Sequence, residues 1–85
     1  MPEISRFYGI AIRMFVEAGG THHVAHFHAS CQDEEAVYRI DRLERLAGSL
    51  PRQQDRLVLA WAELHQQELR ENWNALQEGC PATRI

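Results

Sequence analysis

Residues 51–77 read PRQQDRLVLAWAELHQQELRENWNALQ, a stretch whose apolar side chains recur at helical spacing. Pro51 suits the first position of a helix, because that position needs no backbone hydrogen-bond donor. Gly79 and then Pro81 provide a stop signal. The pattern predicts one amphipathic helix over 51–77, about 40 Å long at 1.5 Å per residue. One broad face should be buried against a sheet, with these residues: Leu57, Val58, Trp61, Ala62, Leu64, His65, Leu69, Trp73 and Leu76.

The sequence before this helix, residues 4–47, is rich in β-branched and aromatic residues. It predicts an antiparallel meander of three strands at 7–16, 22–29 and 36–40, with turns at Gly19-Gly20 and at 33–35. Residues 41–50 are expected to form a connector, with a short fourth strand as the alternative. The predicted fold is therefore α+β: a three- to four-stranded antiparallel meander followed by one long helix packed on the sheet. It forms a single domain, 1–85, with a loose tail at 80–85.

The composition limits the classes of function. Of 85 residues, 45% are hydrophobic and the formal net charge is −3, which argues against a strongly basic nucleic-acid-binding protein. The longest apolar runs are far short of the roughly 20 residues that cross a bilayer. Two cysteines do not make a disulfide framework. These features predict a cytoplasmic protein with no membrane segment.

Four of the five histidines lie within seven residues of the second predicted strand. Strand alternation places His22, His26 and His28 on one face, and residues two apart on a face stand about 7 Å apart. The opposite face, with Phe27 and its alanine neighbours, is expected to pack against the helix. The histidine face should then be turned towards solvent or a partner.

Three interpretations of this face remain open. The histidines can be polar residues on an exposed sheet face. They can bind zinc or another divalent transition metal through His26 and His28, with His22 or Cys31 as a third ligand, although no signature spacing is present. They can also act as general acid and base on a phosphodiester, with Arg13 on the neighbouring strand stabilising the developing charge.

Several separated segments resemble a known family. They are residues 1–10 (MPEISRFYGI) with Ile12-Arg13-Met14, then His26-Phe27-His28-Ala29, Gly48-Ser49-Leu50-Pro51 and Trp61-Ala62-Glu63-Leu64-His65. Together they resemble the Domain of Unknown Function 4160 family of small bacterial proteins. The resemblance implies a partner, a second small domain encoded alongside, and such pairs are suspected toxin–antitoxin modules.

The sequence departs from that family just before the histidines. The family's usual run there is Asn-Pro-Pro-His-Phe-His, whereas residues 21–28 read THHVAHFH, so two prolines are replaced. His26, Phe27 and His28 match the family run, and no family role is carried over to His22 or His23.

The sequence and the resemblance together predict a protein-interaction component of a two-gene toxin–antitoxin-like or stress module. Its expected contact surfaces are the histidine face and an exposed part of the long helix. The expected partner is a protein, either the product of an adjacent gene or a second copy in a homodimer. The alternatives are a small ribonuclease-like enzyme that uses His26, His28 and Arg13, and a metal-binding module.

Overall fold

The computed structural model describes residues 3–15 and 24–85. Within these residues five strands precede two helices: β1 Glu3–Phe7, β2 Ile10–Arg13, β3 His26–Cys31, β4 Glu34–Arg39, β5 Arg45–Gly48, α1 Arg52–Leu64 and α2 Gln66–Gln77. The strands form one antiparallel sheet in the order β1-β2-β3-β4-β5. The α+β class and the antiparallel meander are confirmed. The prediction of three to four strands and one long helix is wrong.

The first predicted strand, 7–16, is interrupted by a two-residue turn at Tyr8-Gly9. Both residues have positive φ, 47° and 75°, as in the tight turns that match the twist of a hairpin. The apolar run therefore contains the end of β1 and all of β2. The predicted strand 22–29 begins later and ends later than expected, because β3 runs from His26 to Cys31 and Val24 and Ala25 precede it. The first two residues of the predicted strand and the predicted Gly19-Gly20 turn lie outside the described residues.

The remaining strand boundaries also differ from the predicted ones. The β3–β4 turn consists of Gln32, at φ 56°, and Asp33, so the acidic residues that follow belong to β4. β5 lies within the predicted connector, residues 41–50, and it is the short additional strand that was the alternative there. It ends at Gly48, where φ is 70° and an added Cβ would stand 2.1 Å from the carbonyl oxygen of Glu35. Only glycine allows β5 to end this close to β4.

The predicted long helix is divided at His65. Its φ and ψ of −116° and 22° are not helical, and its backbone N–H still donates to the carbonyl oxygens of Trp61 and Ala62. The Gln66 amide then donates to the carbonyl oxygen of Ile40, which ties the start of α2 to the end of β4. Beyond the bend α2 lies beside the sheet, where the ring centroids of Trp73 and His26 are 5.1 Å apart. In the described part of the chain, neither helix is long and apolar enough to span a membrane.

The start of α1 also differs by one residue from the prediction. Pro51 is the N-cap, with φ −53° and ψ 145°, and its carbonyl oxygen accepts from the backbone N–H of Asp55. Pro51 thus fixes the approach to the helix, and the first helical residue is Arg52.

The core lies between α1 and one face of the sheet. The Trp61 ring of α1 stands 5.3 Å from Phe7 and 6.0 Å from Phe27, and Phe27 stacks on Tyr38. Phe27 and Tyr38 are fully buried, whereas Phe7 and Trp61 are partly buried. A fully buried side chain of this size contributes about 1.5–3 kcal/mol. The Tyr38 hydroxyl donates to the Asp55 carboxylate at 2.6 Å and so joins β4 to α1. Burial raises the pKa of the Tyr38 phenol, and the bond to Asp55 raises it further.

The end of the chain lies beside β1. The Ile85 backbone N–H donates to the carbonyl oxygen of Ile4 at 2.7 Å. The Asn72 side chain of α2 exchanges two hydrogen bonds with the backbone of Thr83, each 2.8 Å long. The segment predicted as a loose tail, 80–85, is therefore hydrogen-bonded to both a strand and a helix.

Candidate functional site

The sheet brings three predicted site residues together. His26 and His28 lie two apart on β3 and share a face, and Arg13 of β2 stands directly opposite His28 in the register. This is the face opposite Phe27, which packs against α1. Residues on neighbouring antiparallel strands in direct register have Cβ atoms about 5 Å apart, which brings the guanidinium and the imidazole within reach of one small group.

The histidine face is not an open surface, and the expectation that it faces solvent is wrong. His26 is 1% exposed and the His28 side chain is 12% exposed. The His28 ring stacks on Phe15 at 4.7 Å, the two imidazole centroids are 5.3 Å apart, and the Trp73 ring of α2 is 5.1 Å from His26. We call these four residues the histidine cluster.

Hydrogen bonds orient the groups around the cluster. The His26 Nδ1–H donates to the carbonyl oxygen of Val24 at 2.8 Å, so Nε2 is the basic nitrogen of the neutral ring. His28 Nδ1 lies 3.8 Å from a carboxylate oxygen of Glu35 on β4. Arg13 Nη1 donates to the Ser30 hydroxyl at 2.7 Å, which holds the guanidinium along β3. The cluster therefore has one ring with a fixed tautomer, and the Arg13 guanidinium is held beside it.

The described residues do not complete a metal site. Across 3–15 and 24–85, no group of three or more His, Cys, Asp or Glu side chains is placed to hold a metal ion. Cys31 is buried in the core, on the face of β3 opposite the two histidines. His22, the other predicted third ligand, lies outside the described residues. His26 and His28 alone fall short of the three or four ligands that zinc requires.

A cavity of about 230 Å³ lies beside the histidine cluster and touches it only at Trp73. Its other lining residues are Ala25, Ile40, Asp41, Arg70 and Asn74, and neither histidine lines it. An imidazole can transfer a proton and the Arg13 guanidinium can bind an anion, but this cavity does not open onto the imidazoles.

Apolar side chains are exposed on α1 and on the β1–β2 turn, which the sequence pattern did not predict. Leu64, which was expected in the buried face of the helix, is 81% exposed, and Tyr8 in the β1–β2 turn is 78% exposed. These two side chains line a groove of about 350 Å³ together with Ser5, Phe7, Leu57, Ala60 and Trp61. We call the apolar members of this set, Phe7, Tyr8, Leu57, Ala60, Trp61 and Leu64, the α1 surface.

The α1 surface continues towards the start of the helix. A larger depression of about 780 Å³ shares Leu57 and Ala60 with the groove and adds Arg52, Gln53 and Arg56. The sequence carries a signal for this surface, because Leu57, Ala60 and Leu64 recur at spacings of three and four beside the buried Val58 and Ala62. The helix therefore carries two adjacent apolar stripes, one buried and one on the surface. The prediction of a single broad buried face did not separate them.

His65 also differs from its expected place in the buried face. Its side chain is 33% exposed, and its Nδ1 lies 2.7 Å from the Glu68 carboxylate, while its ring centroid is 5.3 Å from that of Trp61. His65 thus belongs to the junction of the two helices, away from the histidine cluster.

Comparison with known proteins agrees with the resemblance seen in the sequence. The family model described as Domain of unknown function (DUF4160) matches residues 9–74, which include β2 to β5, α1 and most of α2. No curated protein and no solved structure matches the chain. Since the match covers more than half of the chain, this protein belongs to the Domain of Unknown Function 4160 family.

Proposed function

We propose that this protein is a protein-interaction component of a two-gene bacterial module of toxin–antitoxin or stress type, and that the α1 surface is its contact surface. The observation that carries the proposal is the exposure of Tyr8 and Leu64 around an apolar groove beside α1. Contiguous exposed apolar side chains on a small domain are typical of binding surfaces. The partner implied by family resemblance is the product of the adjacent gene.

The test is copurification of the full chain with the product of the adjacent gene. We expect a complex that survives size-exclusion chromatography, and we expect Leu64→Glu to abolish it, because a charge would be buried in an apolar contact. Glu71→Gln, an exposed change on α2, is the matched control and should leave the complex intact. No complex with the unmodified chain, or a complex indifferent to Leu64→Glu, contradicts the proposal.

A second candidate is a ribonuclease-like enzyme built on the histidine cluster. The observation in its favour is the pairing of Arg13 with His28, since imidazole can transfer protons near neutral pH and a guanidinium can stabilise phosphorane charge. The burial of His26 counts against direct contact between that ring and a substrate. His28 is therefore the better acid or base.

Expression of His28→Gln tests the enzymatic candidate, because glutamine keeps the polar volume but cannot transfer a proton. Growth arrest and loss of cellular RNA with the unmodified chain, both relieved by this change and by Arg13→Gln, would support an enzyme. His65→Gln serves as a control at a histidine outside the cluster. Equal effects of all variants would remove the candidate.

A metal-binding module is the third candidate. The bond between His26 Nδ1 and the Val24 carbonyl is the kind of contact that orients a metal-binding imidazole through its other nitrogen. Titration of untagged protein with zinc alone tests it: saturable one-to-one binding that is lost in His22→Ala and in His28→Ala is expected for a site. Binding that persists in both variants excludes this one.

A further inference from the structure

The α1 surface has a charged rim with a defined order. Arg52 and Arg56 lie near the start of α1, and Glu63 lies near its end, all exposed. In the part of the chain that the structure describes, the ion pairs involve other residues, so these three charges have no partner there. The surface is therefore positive at one end and negative at the other.

The spacing of these residues is that of a helix seam. Leu57 and Leu64 are seven residues apart, Gln53 and Ala60 are seven apart, and Arg56 and Glu63 are also seven apart. Each pair therefore occupies one position in successive heptads. The first two pairs form the seam, in which Leu57, Ala60 and Leu64 are apolar and Gln53 is polar, and the third pair flanks it. The small Ala60 at the middle of the seam permits close approach of another helix.

The positive and negative ends of the α1 surface are complementary to those of a second copy related by a twofold rotation. When two copies of such a helix pack antiparallel, flanking residues on the same side of the seam face each other. Arg56 then meets Glu63 of a second copy, and the symmetry repeats the contact, so two ion pairs form from one choice of register. A parallel arrangement would instead place Arg56 opposite the Trp61 position and leave these charges without opposite partners.

We propose that the α1 surface binds a second copy of this chain, with α1 packed antiparallel on α1 of its partner around a twofold axis. The inference rests on the proposed function only in taking the α1 surface to be a contact surface, and it names a second copy as the occupant of that surface when the chain is alone. The apolar seam supplies the burial, and the pairing of Arg56 with Glu63 sets the orientation.

Sedimentation equilibrium on the full chain tests this arrangement through charge reversal. Arg56→Glu and Glu63→Arg each place two like-charge contacts in the dimer, so each should weaken self-association by about tenfold or more. The double variant restores both pairs with reversed sign and should self-associate within about threefold of the unmodified chain. Arg70→Glu, an exposed reversal on α2, is the control and should change nothing.

Mixing the two single variants gives a sharper result. One chain then carries two glutamates and the other two arginines at these positions, so each mixed dimer has two opposite-charge contacts, whereas each variant alone has none. We expect one-to-one dimers in the mixture at concentrations where either variant alone is monomeric. Circular dichroism confirms folding of the variants, whose altered side chains are exposed.

The outcomes separate the inference from the proposed function. An unmodified chain that stays monomeric, or a dimer indifferent to both reversals and to Leu64→Glu, overturns the inference. If the chain is monomeric and Leu64→Glu still abolishes copurification with the adjacent gene product, the proposed function stands and the occupant is that other protein. If both self-association and copurification fail, both proposals fall.

Discussion

At the scale of single residues, the proximity of Arg13, His26 and His28 could be predicted, and the burial of the two histidines could not. Strand alternation places His26 and His28 on one face of a strand. The order of strands along the chain places Arg13 on the neighbouring strand. The rings that cover the histidines, Phe15 and Trp73, come from positions far apart in the chain. Period-two patterning carries no information about such long-range contacts.

Gly48 provides the sharpest prediction at this scale. Gly48→Ala should lower the free energy of unfolding by more than about 2 kcal/mol, because a Cβ meets the Glu35 backbone and a positive φ is strained for alanine. Urea unfolding measures the change. Gly79→Ala is the matched control, with φ 83° and open space around an added Cβ, and it should cost only about 1 kcal/mol. Equal losses would show that the close approach to β4 contributes nothing.

The raised pKa of the Tyr38 hydroxyl makes the unfolding free energy depend on pH. Its pKa in the folded chain is raised, by burial and then by Asp55, above the value of about 10 in an unfolded chain. As the pH rises, the unfolded chain therefore loses the Tyr38 proton first. The part of the unfolding free energy that depends on the protonated hydroxyl is complete below about pH 10 and is lost as the pH rises through the pKa of the folded chain. The unfolding free energy should fall above about pH 10.

Tyr38→Phe isolates that contribution. The variant should lose about 1 kcal/mol at neutral pH, because the Asp55 carboxylate loses a donor, and its stability should decline less steeply in alkali. Tyr8→Phe, at an exposed tyrosine, is the control and should keep the alkaline decline. Parallel alkaline profiles for both variants would contradict the assignment to Tyr38.

At the scale of elements, the class of each half was predictable and several boundaries were not. Apolar density over residues 7–16 favoured one strand, although the Tyr8-Gly9 turn needs only two residues with positive φ to divide it. The continuous helical pattern over 52–77 contains no proline or glycine to mark the bend at His65. That bend depends on the contact between Gln66 and Ile40, which lies 26 positions away.

The contact between α2 and the tail gives a prediction at this scale. Asn72→Ala removes two hydrogen bonds to Thr83 and should cost about 1–2 kcal/mol, which lowers the melting temperature by roughly 4–8 °C per kcal/mol in a domain of this size. Thermal unfolding measures the loss, and hydrogen exchange at Ile85 should rise with it. Asn74→Ala, at an exposed asparagine of the same helix, should leave both quantities unchanged.

At the scale of the whole molecule, the proposed twofold dimer links stability to concentration. Association of folded chains raises the apparent melting temperature by mass action. We expect the melting temperature of the unmodified chain to rise over a hundredfold range of protein concentration, and that of Leu64→Glu to stay constant. A melting temperature independent of concentration in both proteins would contradict self-association at the α1 surface.

The bond from Ile85 to Ile4 has a consequence for how sheets of this protein can grow. The outer strands of the sheet, β1 and β5, are different sequences, so joining β5 of one molecule to β1 of the next would be a head-to-tail contact, which makes a ring if the rotation closes and a fibre if it does not. Ile85 occupies a carbonyl on the β1 side where such a strand would pair. Ile85 therefore covers part of the β1 edge, and its detachment would expose a backbone carbonyl with which a strand of another molecule can pair.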